Sequence, residues 1–188
     1  MEQKPAPGSL VNMPDNIREA VKELKEGNIH FLKVIYEEYK KRVYNVAYRY
    51  TGSRSDAEEV VQDVFVKVYD RIGQLKNEEL IHIWIYRIAV NLSIDCINKR
   101  KRFFSFMDYF AVPGKKDDFT DRVDTKELVA GLLKKLKPAY RTVVILRFNE
   151  DLKYEEIAQV LNISIGTVKS RLSRALEILK KEYMETVK

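Results

Sequence analysis

The sequence predicts an all-α protein: two small helical domains joined by a flexible linker, the second containing a helix-turn-helix. Three observations predict it. Apolar residues recur at three- and four-residue spacing along most of the chain, with no period-2 stretch of useful length. Glycine and proline are scarce, 7 and 5 among 188 residues, which disfavours a loop-rich β protein. The helical pattern breaks over residues 103–124, where Pro113 and Gly114 signal a turn and residues 115–118 are charged throughout.

Each element follows from local pattern. Residues 1–13, punctuated by Pro5, Pro7 and Gly8, read as a flexible tail. Asp15 is expected to cap a first helix with the stripe Ile17, Ala20, Val21 and Leu24, ended by Gly27. A second helix, about 28–51, carries Phe31, Leu32, Ile35, Tyr39, Val43, Val46, Ala47 and Tyr50 and closes at Gly52. Ser55 and Glu58 form a candidate capping box for a third helix, which Gly73 ends. After the polar loop 74–77, a long helical pattern covers about 78–102. Residues 105–124 read as an interdomain linker. The aromatic cluster Phe103, Phe104, Phe106, Tyr109 and Phe110 has no assigned role there. Asp124 with Glu127 opens a helix to about 136, and Pro138 suits the first turn of the next, to about 149. Short helices are expected over 154–161 and 165–182.

Composition excludes several classes. Hydrophobic residues make up 45%, enough for a packed core. The single cysteine, Cys96, rules out an internal disulfide framework and a Cys-based zinc site. Apolar runs stop at about four residues, far short of the ~18 that span a bilayer, and the N-terminus has no signal-peptide core. A cytoplasmic protein without membrane insertion is expected. His30 and His82 lie far apart, no Gly-rich phosphate loop is present, and carboxylates fall at helix-surface spacing. Hence no catalytic residue, metal or cofactor is expected. The net charge is +6, concentrated in two basic blocks (14–104 and 125–188) around an acidic connector. Such blocks suit a polyanion, and equally a solvated helical surface.

The sharpest pattern is residues 154–174. Ile157, Ala158 and Leu161 give a first helix its apolar face, and small Ala158 permits a close crossing. Asn162 stands where the turn needs a left-handed backbone, Ile163 plugs the gap, and Ser164 can cap the second helix. Ile165, Val168, Leu172, Leu176 and Leu179 form the buried stripe of that helix. Ser164, Gly166, Thr167, Lys169, Ser170, Arg171, Ser173 and Arg174 are the outward candidates. The small polar N-terminal half can enter a major groove, while the arginines clamp phosphates or reach guanine edges. An ordinary helical hairpin with a basic face needs none of the turn, plug and cap residues in this order.

In the first domain, residues 55–72 combine the stripe Val60, Val61, Val64, Phe65 and Val68 with an acidic surface of Asp56, Glu59 and Asp63. In residues 81–102, Ile81, Trp84, Ile85, Ile88 and Leu92 form one stripe, and His82, Tyr86, Arg87, Asn91 and Asp95 could line another face. The helix ends in Lys99, Arg100, Lys101 and Arg102. Aromatic and amide groups upstream of a basic run suit single-stranded DNA, although a basic run also suits a helix C-terminus.

Together these motifs resemble the sigma-70 family of bacterial RNA polymerase sigma factors, and within it the short extracytoplasmic-function (ECF) group. DAEEVVQDVF (56–65), WIYRIAVNLSID (84–95) and YRTVVILRFNEDLKYEEIAQVLNISIGTVKSRLSRALEIL (140–179) carry the resemblance. It covers about residues 15–102 and 125–185. It implies a region 2-like domain over 14–104, a linker over 105–124 and a region 4-like domain over 125–188. The resemblance also implies that Asp56, Glu59, Gln62, Asp63 and Phe65 face core RNA polymerase. The loop 74–83 and the helix through His82, Tyr86, Arg87, Asn91 and Asp95 are then expected to hold the separated −10 strand, with Lys99–Arg102 on upstream phosphates. The helix from Ser164 is expected to read the −35 element. The implied partners are core polymerase, promoter DNA and a separate anti-sigma factor, since the chain lacks a C-terminal extension. Asn162 in place of glycine and Lys137 before Pro138 depart from the family pattern without threatening the fold.

Three rivals make different demands. A stand-alone helix-turn-helix regulator shares residues 154–181 but leaves 55–65 and 81–102 without a role. An enzyme lacks a site. A polymerase-binding adaptor without promoter specificity keeps the first domain's role and does not need Arg171 and Arg174.

Overall fold

The computed structural model describes residues 13–108 and 125–186, and every regular element among them is helical. Eight α-helices are present among the described residues. The first four are α1 (Asp15–Lys25), α2 (Leu32–Thr51), α3 (Arg54–Arg71) and α4 (Ile81–Asp108). The second set is α5 (Thr125–Lys135), α6 (Pro138–Phe148), α7 (Tyr154–Leu161) and α8 (Ile165–Thr186). The linker expected over 105–124 begins inside α4, which runs to Asp108; residues 109–124, with Tyr109, Phe110 and Asp124, lie outside the described residues, as do residues 1–12 of the tail.

The first bundle packs α2, α3 and α4 against one another, with α1 laid on α2. Its core follows the sequence stripes: Ile35, Tyr39, Val43 and Val46 from α2 meet Val60, Val64 and Val68 from α3 and Ile81, Ile85 and Ala89 from α4. Burial pushes the Tyr39 phenol up to about 12. Met13, expected in the tail, is buried in this core. Two glycines take the left-handed conformation at helix ends. Gly27 (φ 93°) follows α1, where Asn28 N–H reaches back to Glu23 O at 2.9 Å, and Gly52 (φ 66°) follows α2. Gly73 does not share that role; α3 runs into a short 3₁₀ turn, Ile72–Gln74, and Leu75 anchors the following loop in the core. The cap of α3 is Ser53 rather than Ser55, its hydroxyl accepting from Asp56 N–H at 3.2 Å. Asp15 is the first residue of α1 and Pro14 its cap position.

The second bundle centres on α8, which contacts α5, α6 and α7. Pro138 stands in the first turn of α6, as expected. The buried set is Val143, Ile145, Leu146, Ile157, Val160, Val168, Leu172 and Ala175. On α8 the expected stripe shifts: Ile165 and Leu176 are exposed, while Ala175 is fully buried and Ile178 and Leu179 pack from the side.

The stretch Glu78–Arg100 is long and apolar enough to cross a membrane by length and composition alone, with a mean hydropathy of 1.4. Counting uninterrupted apolar runs missed this, because Arg87 and Asn91 break the runs. Here it is a core helix: Ile81, Ile83, Ile85, Ala89, Val90 and Leu92 are all buried. Its buried residues meet α2 and α3, and α7 of the second bundle also touches it, while Arg87, Asn91 and Asp95 stay exposed.

Candidate nucleic-acid and polymerase interfaces

The helix-turn-helix is built as the residues dictate. Asn162 ends α7 in the left-handed conformation (φ 53°, ψ 50°), and its N–H returns to Gln159 O. Ile163 is partly buried between the helices, its N–H bonded to Ala158 O at 3.0 Å. Ser164 Oγ accepts from Thr167 N–H at 3.1 Å and lies 2.9 Å from the Thr167 hydroxyl. At the start of α7, Glu156 Oε2 accepts from Lys153 N–H at 2.7 Å. Ser164→Ala is therefore expected to cost about 1 kcal/mol, read as a lower urea midpoint with an unchanged slope.

Gly166, Lys169, Ser170, Ser173 and Arg174 are exposed, and Thr167 is partly covered. Gly166 has only Ser164 Oγ within contact reach of a methyl group in its place, at 3.7 Å, so the helix start offers little bulk to a partner. Arg174 pairs with Glu177 at 2.8 Å in an exposed contact. Arg171 is half-buried and lines a cleft against the first bundle. Sequence reasoning missed Tyr154, whose ring has Lys169 Nζ at 6.0 Å and the Arg147 guanidinium at 5.8 Å. An aromatic residue as the first residue of the first helix was the available signal.

On α3 the structure brings Asp56, Glu59, Gln62 and Asp63 to the surface; Asp56 is partly covered and the other three are exposed. Phe65 is 5% exposed and packs edge-on against Tyr36 at 4.8 Å, so its side chain is core and supports that surface from beneath. A groove between α3 and α4 joins Asp56, Glu59 and Asp63 to Asp95, Lys99 and Arg100. Arg100 donates to Asp56 at 3.0 Å. Cys96 sits in the same groove, its thiol pushed up by burial and by Asp56 and Glu59.

The residues expected to hold the −10 strand do not form one surface. Asp95, Lys99 and Arg100 face the α3 groove, and Arg102 is exposed; the Lys101 side chain lies outside the described residues. His82, Tyr86, Arg87 and Asn91 lie on the side of α4 that meets the second bundle. Tyr86 is 1% exposed, so it does not line an open face. Its hydroxyl donates to Glu150 Oε2 at 2.7 Å, and burial raises the phenol well above its ordinary value. Arg87 donates from Nε to Val160 O at 3.3 Å and from Nη2 to Gln159 O at 2.5 Å. His82 Nε2 lies 3.5 Å from Glu156 Oε1. Trp84 is partly buried against the core. Ahead of α4, Arg18 and Lys25 of α1 pair with Glu79 and Glu78, fixing the turn that leads into the helix.

Burial raises the Glu150 carboxyl above its ordinary value, opposed by the Tyr86 hydroxyl and by Arg42. A carboxyl raised in the docked arrangement favours docking when protonated. That contribution is full below the ordinary value and is lost as pH rises through the raised one. Docking is thus expected to loosen as pH rises above about 4.5, the ordinary carboxyl value. Glu150→Gln should remove the part of that change due to Glu150, measured as the interdomain distance against pH.

A capped helix-turn-helix in the second bundle, on a chain whose first bundle bears an acidic surface, is the arrangement of a two-part transcription factor. The comparisons with known proteins fix the family. A family model for sigma-70 region 2 matches residues 35–103, and one for sigma-70 region 4 matches residues 126–179. The ECF RNA polymerase sigma factor SigW of Bacillus subtilis is 30% identical over 184 residues, covering 88% of this chain and 96% of its own. The sigma factor SigV of the same organism is 36% identical over 146 residues, 76% of this chain and 85% of its own. The fold is shared with CnrH, solved with the cytosolic domain of CnrY (TM-score 0.70, 21% identity, 91% of this chain and 99% of that one). It is shared also with RpoE of Bartonella quintana, solved with the anti-sigma factor NepR (TM-score 0.64, 22% identity, 79% and 94%). The chain belongs to the sigma-70 family, as an alternative sigma factor of the ECF group.

Proposed function

We propose that this sigma factor acts in the cytoplasm, docks on core RNA polymerase through Asp56, Glu59, Gln62 and Asp63 of α3, and reads promoters with both bundles. Residues 14–104 serve as the polymerase and −10 domain, and 125–188 as the −35 domain. The −35 element is read by the exposed start of α8, from Ser164 to Arg174. The −10 strand is held by His82, Arg87 and Asn91, joined by Tyr86 once the second bundle has moved away; the basic end of α4 lies on upstream phosphates, and Asp95, on the α3 side, is not part of this face. The polymerase performs the chemistry and this chain none. The observation that carries the reading is the pairing of a capped, small-faced recognition helix with an acidic α3 surface in one chain matching both sigma regions.

Four or five phosphate contacts give a log–log salt slope of roughly −4, so the isolated chain binds promoter DNA weakly. Tethering both bundles to the polymerase converts two weak contacts into one avid contact. A separate anti-sigma protein, as in the RpoE–NepR complex, is the expected regulator. Run-off transcription with purified chain, core polymerase and genomic promoter fragments tests the reading. Discrete transcripts that require the chain are expected. Co-elution with polymerase but no transcripts would favour an adaptor, and no co-elution would favour a stand-alone regulator.

A further inference from the structure

The turn that leads into α4 stands clear of the core. Leu75 is buried at its start and Ile81 at its end, while Lys76, Asn77, Glu79 and Leu80 between them are exposed. Within the turn, Asn77 Oδ1 accepts from Glu79 N–H at 3.0 Å, and Asn77 O accepts from Leu80 N–H at 3.1 Å. A further hold comes from α1, whose Arg18 and Lys25 stand about two turns apart on one face and reach two adjacent carboxylates. Lys25 Nζ donates to Glu78 Oε1 at 3.2 Å, with both side chains mostly covered. Arg18 Nη2 donates to Glu79 Oε1. Arg18 Nε is buried with no hydrogen-bond partner. A donor buried unpaired works against stability, and part-exposed ion pairs add little to it. The two pairs therefore act on where the turn sits more than on how stable the bundle is. The turn presents exposed polar groups: the Gln74 amide donates and accepts, Asn77 has its Nδ2 donors, and Lys76 carries an ammonium suited to phosphate.

We propose that α1 is a clasp that presets this turn for one base of the −10 strand, with Arg18 and Lys25 as positioning residues that touch the turn and not the DNA. The inference rests on the proposed −10 role of the first bundle. Holding the turn before the strand arrives lowers the ordering cost of capture. A fixed set of amides also rejects a wrong base by leaving polar groups unpaired, whereas a turn free to shift accommodates several bases.

The test breaks the pairs and rebuilds them with charges exchanged. Arg18→Glu with Lys25→Glu sets like charges against Glu79 and Glu78; adding Glu78→Lys and Glu79→Arg restores two pairs of opposite sense. Arg18→Gln with Lys25→Gln is a milder break should the reversal fold poorly by circular dichroism. In the full chain alone, hydrogen exchange of the Glu79 and Leu80 amides, read by NMR, should quicken at least about tenfold in the broken variants and slow again in the exchanged one, with the core amides of α3 unchanged. In run-off transcription with core polymerase, promoters differing at single −10 bases measure discrimination. At one −10 position the ratio between best and worst base should fall about fivefold in the broken variants and recover in the exchanged one. Unchanged amide exchange would overturn the clasp. Faster exchange with discrimination intact, discrimination not recovered by the exchanged charges, or an equal loss at every −10 position would overturn positioning. A parent chain with no preference at any −10 base would overturn the −10 reading, and base positioning with it, while the amide exchange scores the clasp separately.

Discussion

Replacing Arg171 and Arg174 together with alanine is expected to cut promoter-dependent transcription by about 30-fold or more while the chain stays folded. Val168, Leu172 and Ala175 carry the packing of α8, and neither arginine belongs to that core. Arg174 is held only by an exposed pair with Glu177, which contributes little and releases the guanidinium at small cost. Arg171 stands on the same helix, half-covered by the cleft between the bundles. An arginine that reaches a guanine edge discriminates by about 1–3 kcal/mol, so two such contacts supply at least about 2 kcal/mol, roughly a factor of 30. Run-off transcription on a mapped promoter reads the loss, and a thermal melt verifies the fold. Output that survives the double substitution would remove α8 from promoter reading and favour the adaptor. A loss largest at low salt and shrinking as salt rises would mark both residues as phosphate contacts.

Much of the fold was legible because its punctuation is local. Gly52, Pro138, Asn162 and Ser164 each perform a task set by backbone geometry, and α7 has the boundaries the sequence suggests. Local competition blurred other ends. Ser53 and Ser55 both precede α3, and only the geometry of Asp56 N–H chooses the former. Gly73 looked like a left-handed cap, yet burial of Ile72 and Leu75 draws the chain into a 3₁₀ turn. The candidate sites divide similarly. The helix-turn-helix was readable because its residues are consecutive. The second face of α4 was not, because Tyr86 and Glu150 are 64 residues apart and the acceptors of Arg87 are backbone carbonyls. No side-chain pattern marks a carbonyl as a partner. Arg42 and Thr142 escaped notice, and Tyr50 was read only as part of an apolar stripe, for the same reason: each looks like an ordinary helical residue until the other bundle is in place.

Reversing Glu59 and Asp63 to lysine is expected to weaken core polymerase binding by about 100-fold. Helix α3 packs through Ala57, Val60, Val61, Val64, Phe65 and Val68, and Glu59 and Asp63 are left to solvent. Substitutions at exposed positions of this kind usually change stability by no more than about 0.5 kcal/mol, so the bundle should melt near its normal temperature. A basic partner surface that attracts two carboxylates would instead meet two ammonium groups. Like charges set opposite one another cost several kcal/mol, and about 2.7 kcal/mol corresponds to the 100-fold loss. Asp56 should behave differently, because Arg100 already pairs with it at 3.0 Å. Asp56→Asn removes a charge that is partly neutralised within the chain, so its effect should be several-fold smaller. Salt separates this account from a purely apolar contact. Rising salt should weaken the parent complex by screening its attraction, while binding by the double variant should hold steady or improve. Fluorescence anisotropy of labelled chain titrated with core polymerase, at two salt concentrations, measures both effects. Equal binding by parent and variant would move the polymerase contact off α3, to the apolar surface around Tyr36 and Tyr69 or to the second bundle.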